Sequence, residues 1–239
     1  LMAAGIEPAR SVFAHGFISL GGEKMSKTRG NIIDPVRLAE VFGADGLRYL
    51  LMREVPFDRD GDITPETLVA RYNADLANEL GNLFSRTLSM IAKYLGGVVP
   101  ERPCDDQREP LRVLAAAVGG YRRHMENMEF SRALAAFWPA VQSANRYIEE
   151  CKPWLMAKDS GRREELEGVF RTLLAVLRTA GAVLAPFMPL KMGEMLARLG
   201  VAAPSFDGVP PAVCGATGLD APAPLFPRIQ EIPENIYKD

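Results

Sequence analysis

Cysteine, histidine, net charge and long apolar runs are all scarce in this chain of 239 residues. Its three cysteines, Cys104, Cys151 and Cys214, lie far apart and form no evident pair. No Cys-X-X-Cys knuckle or His-rich cluster accompanies them, so the sequence offers no pattern for a structural zinc. Free thiols suit a reducing compartment, and a cytoplasmic protein is expected. No apolar run reaches the roughly 18 residues that span a bilayer, and no basic-then-apolar leader opens the chain. No membrane partner is expected. The formal net charge is −2, which removes any whole-chain attraction to nucleic acid and leaves only a local patch to make such a contact. The spacing G-X-X-X-X-G-K-[ST] is missing, so there is no Walker A loop. Repeats and low-complexity tracts are also absent.

What is present is an ordinary globular composition, 48% hydrophobic and 24% charged, with length enough for one or two domains with a core. One stretch organises the rest: Gly21-Gly22-Glu23-Lys24-Met25-Ser26-Lys27-Thr28-Arg29-Gly30-Asn31. Two lysines flank a small hydroxyl residue, glycines bound the group, a strand is expected before it and a helix after it. Ammonium and backbone N–H groups in such a loop can point at phosphate oxygens. A solvated basic turn is the plainer reading of a bare Lys-X-X-Lys, and the glycines and flanking elements argue against it.

Residues 1–20 read as a helix end, a turn at Gly5–Pro8 and a strand from Val12 to Leu20, with His15 inside it as a structural residue. Asp34 and Pro35 open a helix whose stripe is Leu38, Val41 and Phe42 and which Gly43 ends. Asp45 is expected to cap a second helix, with Leu47, Leu50 and Leu51 inward and Arg48 and Arg53 on its exposed face. Those arginines suit either surface ion pairs or RNA phosphates. Thr64-Pro65-Glu66 starts a long helix that runs to Gly96-Gly97; about thirty residues at ~1.5 Å each make a rod of ~45 Å. Four more amphipathic stretches follow, marked by Leu111–Met125, Leu134–Ile148, Leu166–Leu177 and Pro186–Leu199. Short connections favour antiparallel packing. From Val201 the Pro- and Gly-rich chain reads as an extended tail that packs over the helices through Leu225-Phe226-Pro227-Arg228-Ile229. Trp138 reads as a core ring. Met125, Met128, Met188, Met192 and Met195 read as packing fillers.

Lys24-Met25-Ser26-Lys27-Thr28 resembles the KMSKS signature of class I aminoacyl-tRNA synthetases, with Thr28 at a position where the family usually has Ser. Arg29-Gly30-Asn31, Gly43-Ala44-Asp45-Gly46-Leu47-Arg48-Tyr49, Arg53-Glu54-Val55-Pro56-Phe57 and Asp60-Gly61-Asp62 resemble the methionyl-tRNA synthetase family in particular. The resemblance implies a mainly α chain: a short α/β segment with the KMSKS loop and a stem-contact segment (1–63), an antiparallel α-helix bundle that binds the anticodon (64–200), and the tail (201–239).

It implies ATP, with Mg²⁺, as the nucleotide bound by Lys24, Met25, Ser26, Lys27 and Thr28. Cations placed where negative charge builds on the leaving pyrophosphate lower the barrier more than they help binding. Lys27 is the main candidate for that catalytic role and Lys24 the second. The resemblance also implies tRNA(Met) as partner, its CAU anticodon bound by Asn82 and Arg86 and stacked on Trp154. Asn82 and Arg86 stand four apart, on one helix face. Taken alone, Trp154 reads as a core tryptophan and Asn82 and Arg86 as solvated surface. No HIGH-type motif, methionine pocket or zinc-bearing insertion is found, and the opening Leu1-Met2-Ala3-Ala4-Gly5 reads like the middle of a protein. A fragment of a monomeric ligase, inactive alone, is expected. Another class I synthetase (for leucine, isoleucine, valine or cysteine) or a non-catalytic tRNA-binding module are the rivals.

Overall fold

The structure, a computed structural model, describes residues 1–26, 28, 31–206, 209–221, 223–232, 236 and 237. It is mostly helical, with a few short strands. A small three-stranded sheet comes first. Strand β1 (Ile18–Leu20) runs antiparallel to β2 (Glu23–Lys24) and parallel to β3 (Gly61–Ile63). The strand expected over Val12–Leu20 is therefore only its last three residues. Val12, Phe13 and Phe17 are exposed, and β-branched and aromatic side chains do not make a strand where no neighbouring strand pairs with them. His15, outside any strand, lies exposed with its Nδ1 2.7 Å from the Gly16 carbonyl.

Helix α1 (Pro35–Glu54) starts as its sequence dictates. The Asp34 carboxylate accepts the Val36 N–H at 2.8 Å and Pro35 sits in the first turn, a cap worth about 1 kcal/mol. Gly43 (φ 71°, ψ 153°) breaks the helix without ending it, a conformation that only glycine adopts without strain. Asp45 does not cap the second half. It is buried, and its Oδ2 accepts the Lys191 N–H at 2.6 Å, in the first turn of α8 (Pro189–Arg198). Arg48 donates from Nε and Nη2 to the carbonyls of Phe187 and Pro186 at 3.0 and 2.9 Å. The second half of α1 thus satisfies backbone groups at the turn that leads into α8.

The long rod is present without a break from Pro65 to Leu95, yet it is not one α-helix. Thr64 and Thr67 form a reciprocal capping box at the start of α2 (Pro65–Arg71). A π-helical segment follows over Tyr72–Gly81, then α3 (Asn82–Leu95), closed by Gly96 in the left-handed conformation (φ 63°). Wide π turns are rare and costly, and they persist where side chains use them. Here the segment's polar side chains are used. Asp75, buried, accepts the Tyr49 hydroxyl at 2.7 Å and lies 3.6 Å from Arg53 and 3.5 Å from Arg71. Burial, then the Asp75 carboxylate, pushes the Tyr49 phenol well up, so it stays the donor. Arg53 is therefore part of a half-buried ion cluster and not on an exposed face. Glu79 takes Gln142 at 3.0 Å, Asn73 holds Ile229 through both N–H and C=O, and Asn78 holds Arg228.

Helix α4 (Glu109–Glu126) packs on α5 (Phe130–Cys151); the four-residue α6 (Pro153–Met156) leads to α7 (Arg163–Leu184). The α7 sequence shows a one-sided stripe, but the helix is buried on all sides. It packs against α3, α4, α5, α6 and α8, so its alanines, glycines and threonines are as interior as its leucines. Met188, Met192 and Met195 are core fillers, whereas Met128 is exposed at positive φ. Strand β4 (Val99–Pro103) pairs antiparallel with β5 (Val213–Ala216) of the tail. Two of the cysteines, Cys104 and Cys214, are brought together there and are not far apart in space. Leu225 and Phe226 are buried, and one core cluster extends from Ile33 to Phe226.

Candidate functional site

The loop after β1 is held from two sides. Gly21 and Gly22 turn the chain at φ 60° and 80°, a pair of left-handed residues that side chains resist. Asp62, at the centre of β3, accepts the Gly22 N–H and the Ser19 hydroxyl, both at 2.8 Å. The Gly22 N–H first, and Ser19 second, hold its carboxyl below the usual carboxylate range. Asn31 closes the loop from the other side: its Oδ1 accepts the Ser26 N–H at 2.7 Å and its Nδ2 donates to the Lys24 carbonyl at 3.2 Å. Lys24 is exposed, its ammonium 5.7 Å from the centre of the Phe17 ring. Thr28 is exposed, and Met25 and Ser26 are half-buried. Lys27, with Arg29 and Gly30, lies outside the described residues. Sequence reading named the lysines and passed over Asn31 and Asp62 as supports. The only available signal was an amide and a carboxylate on either side of a glycine-rich turn.

A second candidate region lies along α3. Asn82 is exposed and stands at the rim of a cleft of about 760 Å³, walled on one side by Asn78, Gly81 and Ser85 and on the other by Leu225, Phe226 and Arg228. Arg228 reaches across, donating from Nε and Nη2 to the Asn78 side-chain carbonyl at 2.8 and 2.6 Å. Arg86, one turn on, is engaged by Glu149 of α5 at 2.6 Å, the two side chains 32% and 60% exposed. Such an open pair is worth about 0.2–1 kcal/mol, little enough for a phosphate or base edge to displace. Two residues beyond Glu150 the chain turns at Lys152 (φ 48°), and Pro153 starts α6 in its first helical position. Trp154 is half-buried and packs against the core edge. It is neither wholly interior, as Trp138 is, nor free. Helix α3 packs on both α5 and α6, so Arg86 and Trp154 stand on neighbouring elements; Asn82 faces the tail cleft, whose lining does not include Trp154. The tail's Arg228 was not foreseen.

Among the described residues, no group of three or more His, Cys, Asp or Glu side chains could hold a metal ion, and no helix is long and apolar enough to cross a membrane.

Comparison with known proteins gives consistent matches. The family model for class I tRNA synthetases (M) matches residues 1–88, and that for the anticodon-binding domain of tRNA ligases matches residues 107–206. Methionine–tRNA ligase 1 of Bacillus cereus is 42% identical over 96% of the chain, which covers 36% of that protein. The methionine–tRNA ligase of Mycobacterium tuberculosis is 44% identical over 96% of the chain, which covers 46% of it. The solved structure of Mycobacterium tuberculosis methionyl-tRNA synthetase in complex with methionyl-adenylate superposes with a TM-score of 0.85 and 41% identity, over 95% of this chain and 46% of that one. The chain thus spans between a third and a half of the length of these relatives. With the two family models matched in tandem and identity above 40% along nearly its whole length, the chain is similar to methionyl-tRNA synthetases over 95% or more of its residues.

Proposed function

We propose that this chain supplies the phosphate-gripping loop and the anticodon reader of a methionine–tRNA ligase. The full enzyme would join methionine to ATP, release pyrophosphate, and pass the methionyl group to tRNA(Met). The observation that carries this reading is the Asn31-closed, Asp62-anchored loop that presents Lys24 between a glycine turn and the capped start of α1. When the methionine carboxylate attacks the α-phosphorus, negative charge moves onto the departing phosphates. Lys27, with Lys24 beside it, is positioned in sequence to neutralise that charge, and the positively charged groups act mostly in the transition state. Met25, Ser26 and Thr28 complete the ATP contact, and Mg²⁺ enters with the nucleotide's phosphates. The flexible Gly21-Gly22 turn lets the loop close on ATP and reopen. Methionine itself would bind in a part of the enzyme outside these residues.

In this reading residues 1–63 end the catalytic domain with a stem-contact segment, 64–200 form the antiparallel anticodon-binding bundle, and 201–239 are the tail that packs on it. Trp154 stacks on the first anticodon base, as splayed single-stranded bases stack on rings, while Asn82 and Arg86 bind base edges. The half-exposed ring of Trp154 and the weakly held guanidinium of Arg86 support these roles. The enzyme would work as a cytoplasmic monomer.

The test titrates the chain with an RNA hairpin carrying a CAU loop and follows tryptophan fluorescence. A second hairpin is altered at the first anticodon base. Quenching by the first and not the second is expected, since Trp138 is buried. Equal or absent responses would overturn the anticodon assignment.

A further inference from the structure

The β4–β5 ladder carries a chemical feature that amino-acid activation leaves unused. Its register sets Arg102 opposite Cys214 and Pro103 opposite Val213, and the Cys104 N–H donates to the Ala212 carbonyl at 2.8 Å. Cys104 and Cys214 are therefore diagonal neighbours on one face of the ladder. Their thiols meet. Gly215 allows the strands to come this close, since a Cβ there would stand 2.5 Å from the Cα of Glu101.

The charges of three arginines reach Cys104. Arg108 comes from the start of α4, and Arg171 and Arg178 come from α7. Arg171 is buried, with Glu167 no closer than 3.9 Å and no hydrogen-bond partner for its Nη1. Arg178 gives its Nη2 to the carbonyls of Leu199 and Gly215, and its Nε has no partner. A buried cation without a close anion is costly, and a thiolate at Cys104 supplies the missing charge. The Cys214 thiol first, and then the arginines, bring the Cys104 pKa down to about 7. Cys214, fully buried, is pushed up by its contact with Cys104 and by burial, and keeps its proton. Cys104 is half-exposed and so reachable.

We propose that Cys104 and Cys214 form a peroxide-oxidisable dithiol, with Cys104 the reacting thiolate, Cys214 the resolving thiol and a small hydroperoxide the oxidant. The Cys104 sulfur attacks a peroxide oxygen; the S–O bond forms, the O–O bond breaks and hydroxide leaves, giving a sulfenic acid. The Cys214 sulfur then attacks Cys104; the S–S bond forms, the S–O bond breaks, and the hydroxyl leaves with the Cys214 proton as water. The two sulfurs lose two electrons and the O–O bond takes up two. The product ties β5, the start of the segment that carries Leu225–Arg228, covalently to the residue that follows β4.

Cys151 is the internal reference, because burial raises its pKa. The experiment treats the 239-residue chain with hydrogen peroxide and maps its thiols by differential alkylation and mass spectrometry. A linked Cys104–Cys214 peptide is expected, with Cys151 still free. In the reduced chain at neutral pH, iodoacetamide should modify Cys104 about tenfold faster or more than Cys151, because only the thiolate reacts. Cys214→Ser should leave a Cys104 sulfenic acid that dimedone traps. Preferential oxidation of Cys151, equal alkylation rates, or Cys104 and Cys214 both recovered as thiols would overturn the proposal, and the wild-type readings stand even if the variant folds poorly.

Discussion

The basic loop and the Asn82 cleft are built in opposite ways. The loop is closed by its own neighbour, Asn31, and anchored by Asp62 on the adjacent strand. The cleft has walls that come from positions nearly 150 residues apart, with Arg228 and Asn78 hydrogen-bonded across it. In the proposed function, the loop answers charge moving on a small substrate and needs freedom and few anchors. The cleft, in the same proposal, holds its shape for a large polymer and needs tertiary support. The difference suggests that damage should separate cleanly: the loop should fail in chemistry with the fold intact, and the helical end should fail in recognition or in stability.

The strongest way to break this contrast is at the loop. In the full-length enzyme, Lys27→Ala should lower pyrophosphate exchange about a hundred- to a thousandfold, the usual loss when a transition-state donor is removed, with ATP binding little changed. Equal losses in rate and affinity would remove the transition-state role. Next comes the support of the helical end. Asp75→Ala leaves Arg53 half-buried without its carboxylate, while Arg71 keeps Glu54, and should cost about 3 kcal/mol of stability, read as a lower urea midpoint. An unchanged midpoint would mean that the ion cluster is not what holds the π segment. Trp154→Ala should weaken tRNA charging by about tenfold, one lost base stack being worth roughly 1–3 kcal/mol, while pyrophosphate exchange stays level; a parallel fall in exchange would make Trp154 a purely structural ring. The smallest effect sharpens the contrast. Glu149→Gln releases Arg86 and should tighten hairpin binding about two- to fivefold at low salt, on the scale of one exposed ion pair. No change would show that Arg86 does not reach RNA.

What could be read from the sequence was what neighbours decide. Asp34-Pro35, Thr64-Pro65 and Gly96 act on groups within a few residues, and each cap is where residue chemistry puts it. Val12–Phe17 was misread for the converse reason: the residues have strand propensity but no partner. Strand β4 escaped because Pro100 and Pro103 argue against a strand and its partner lies more than a hundred residues on. The meeting of Cys104 with Cys214, the burial of Arg53 against Asp75, and the use of Asp45 at α8 share that cause. At the candidate sites the lysines and Trp154 were visible as residue types. The supports, Asn31, Asp62, Glu149 and Arg228, became visible only when the fold set them beside their partners.

The π segment makes the aim of Asn82 and Arg86 a matter of angular phase. A residue advances an α-helix by about 100°, and a π turn is in effect a helix with residues inserted into its winding. Tyr72–Gly81 therefore sets the rotation of everything after it relative to α2. Removing a single residue there, even one that touches nothing, would swing Asn82 and Arg86 around the axis by roughly a quarter turn. In the proposed anticodon role, the direction in which these two side chains face RNA would be encoded less by the side chains themselves than by the count of residues between Arg71 and Asn82.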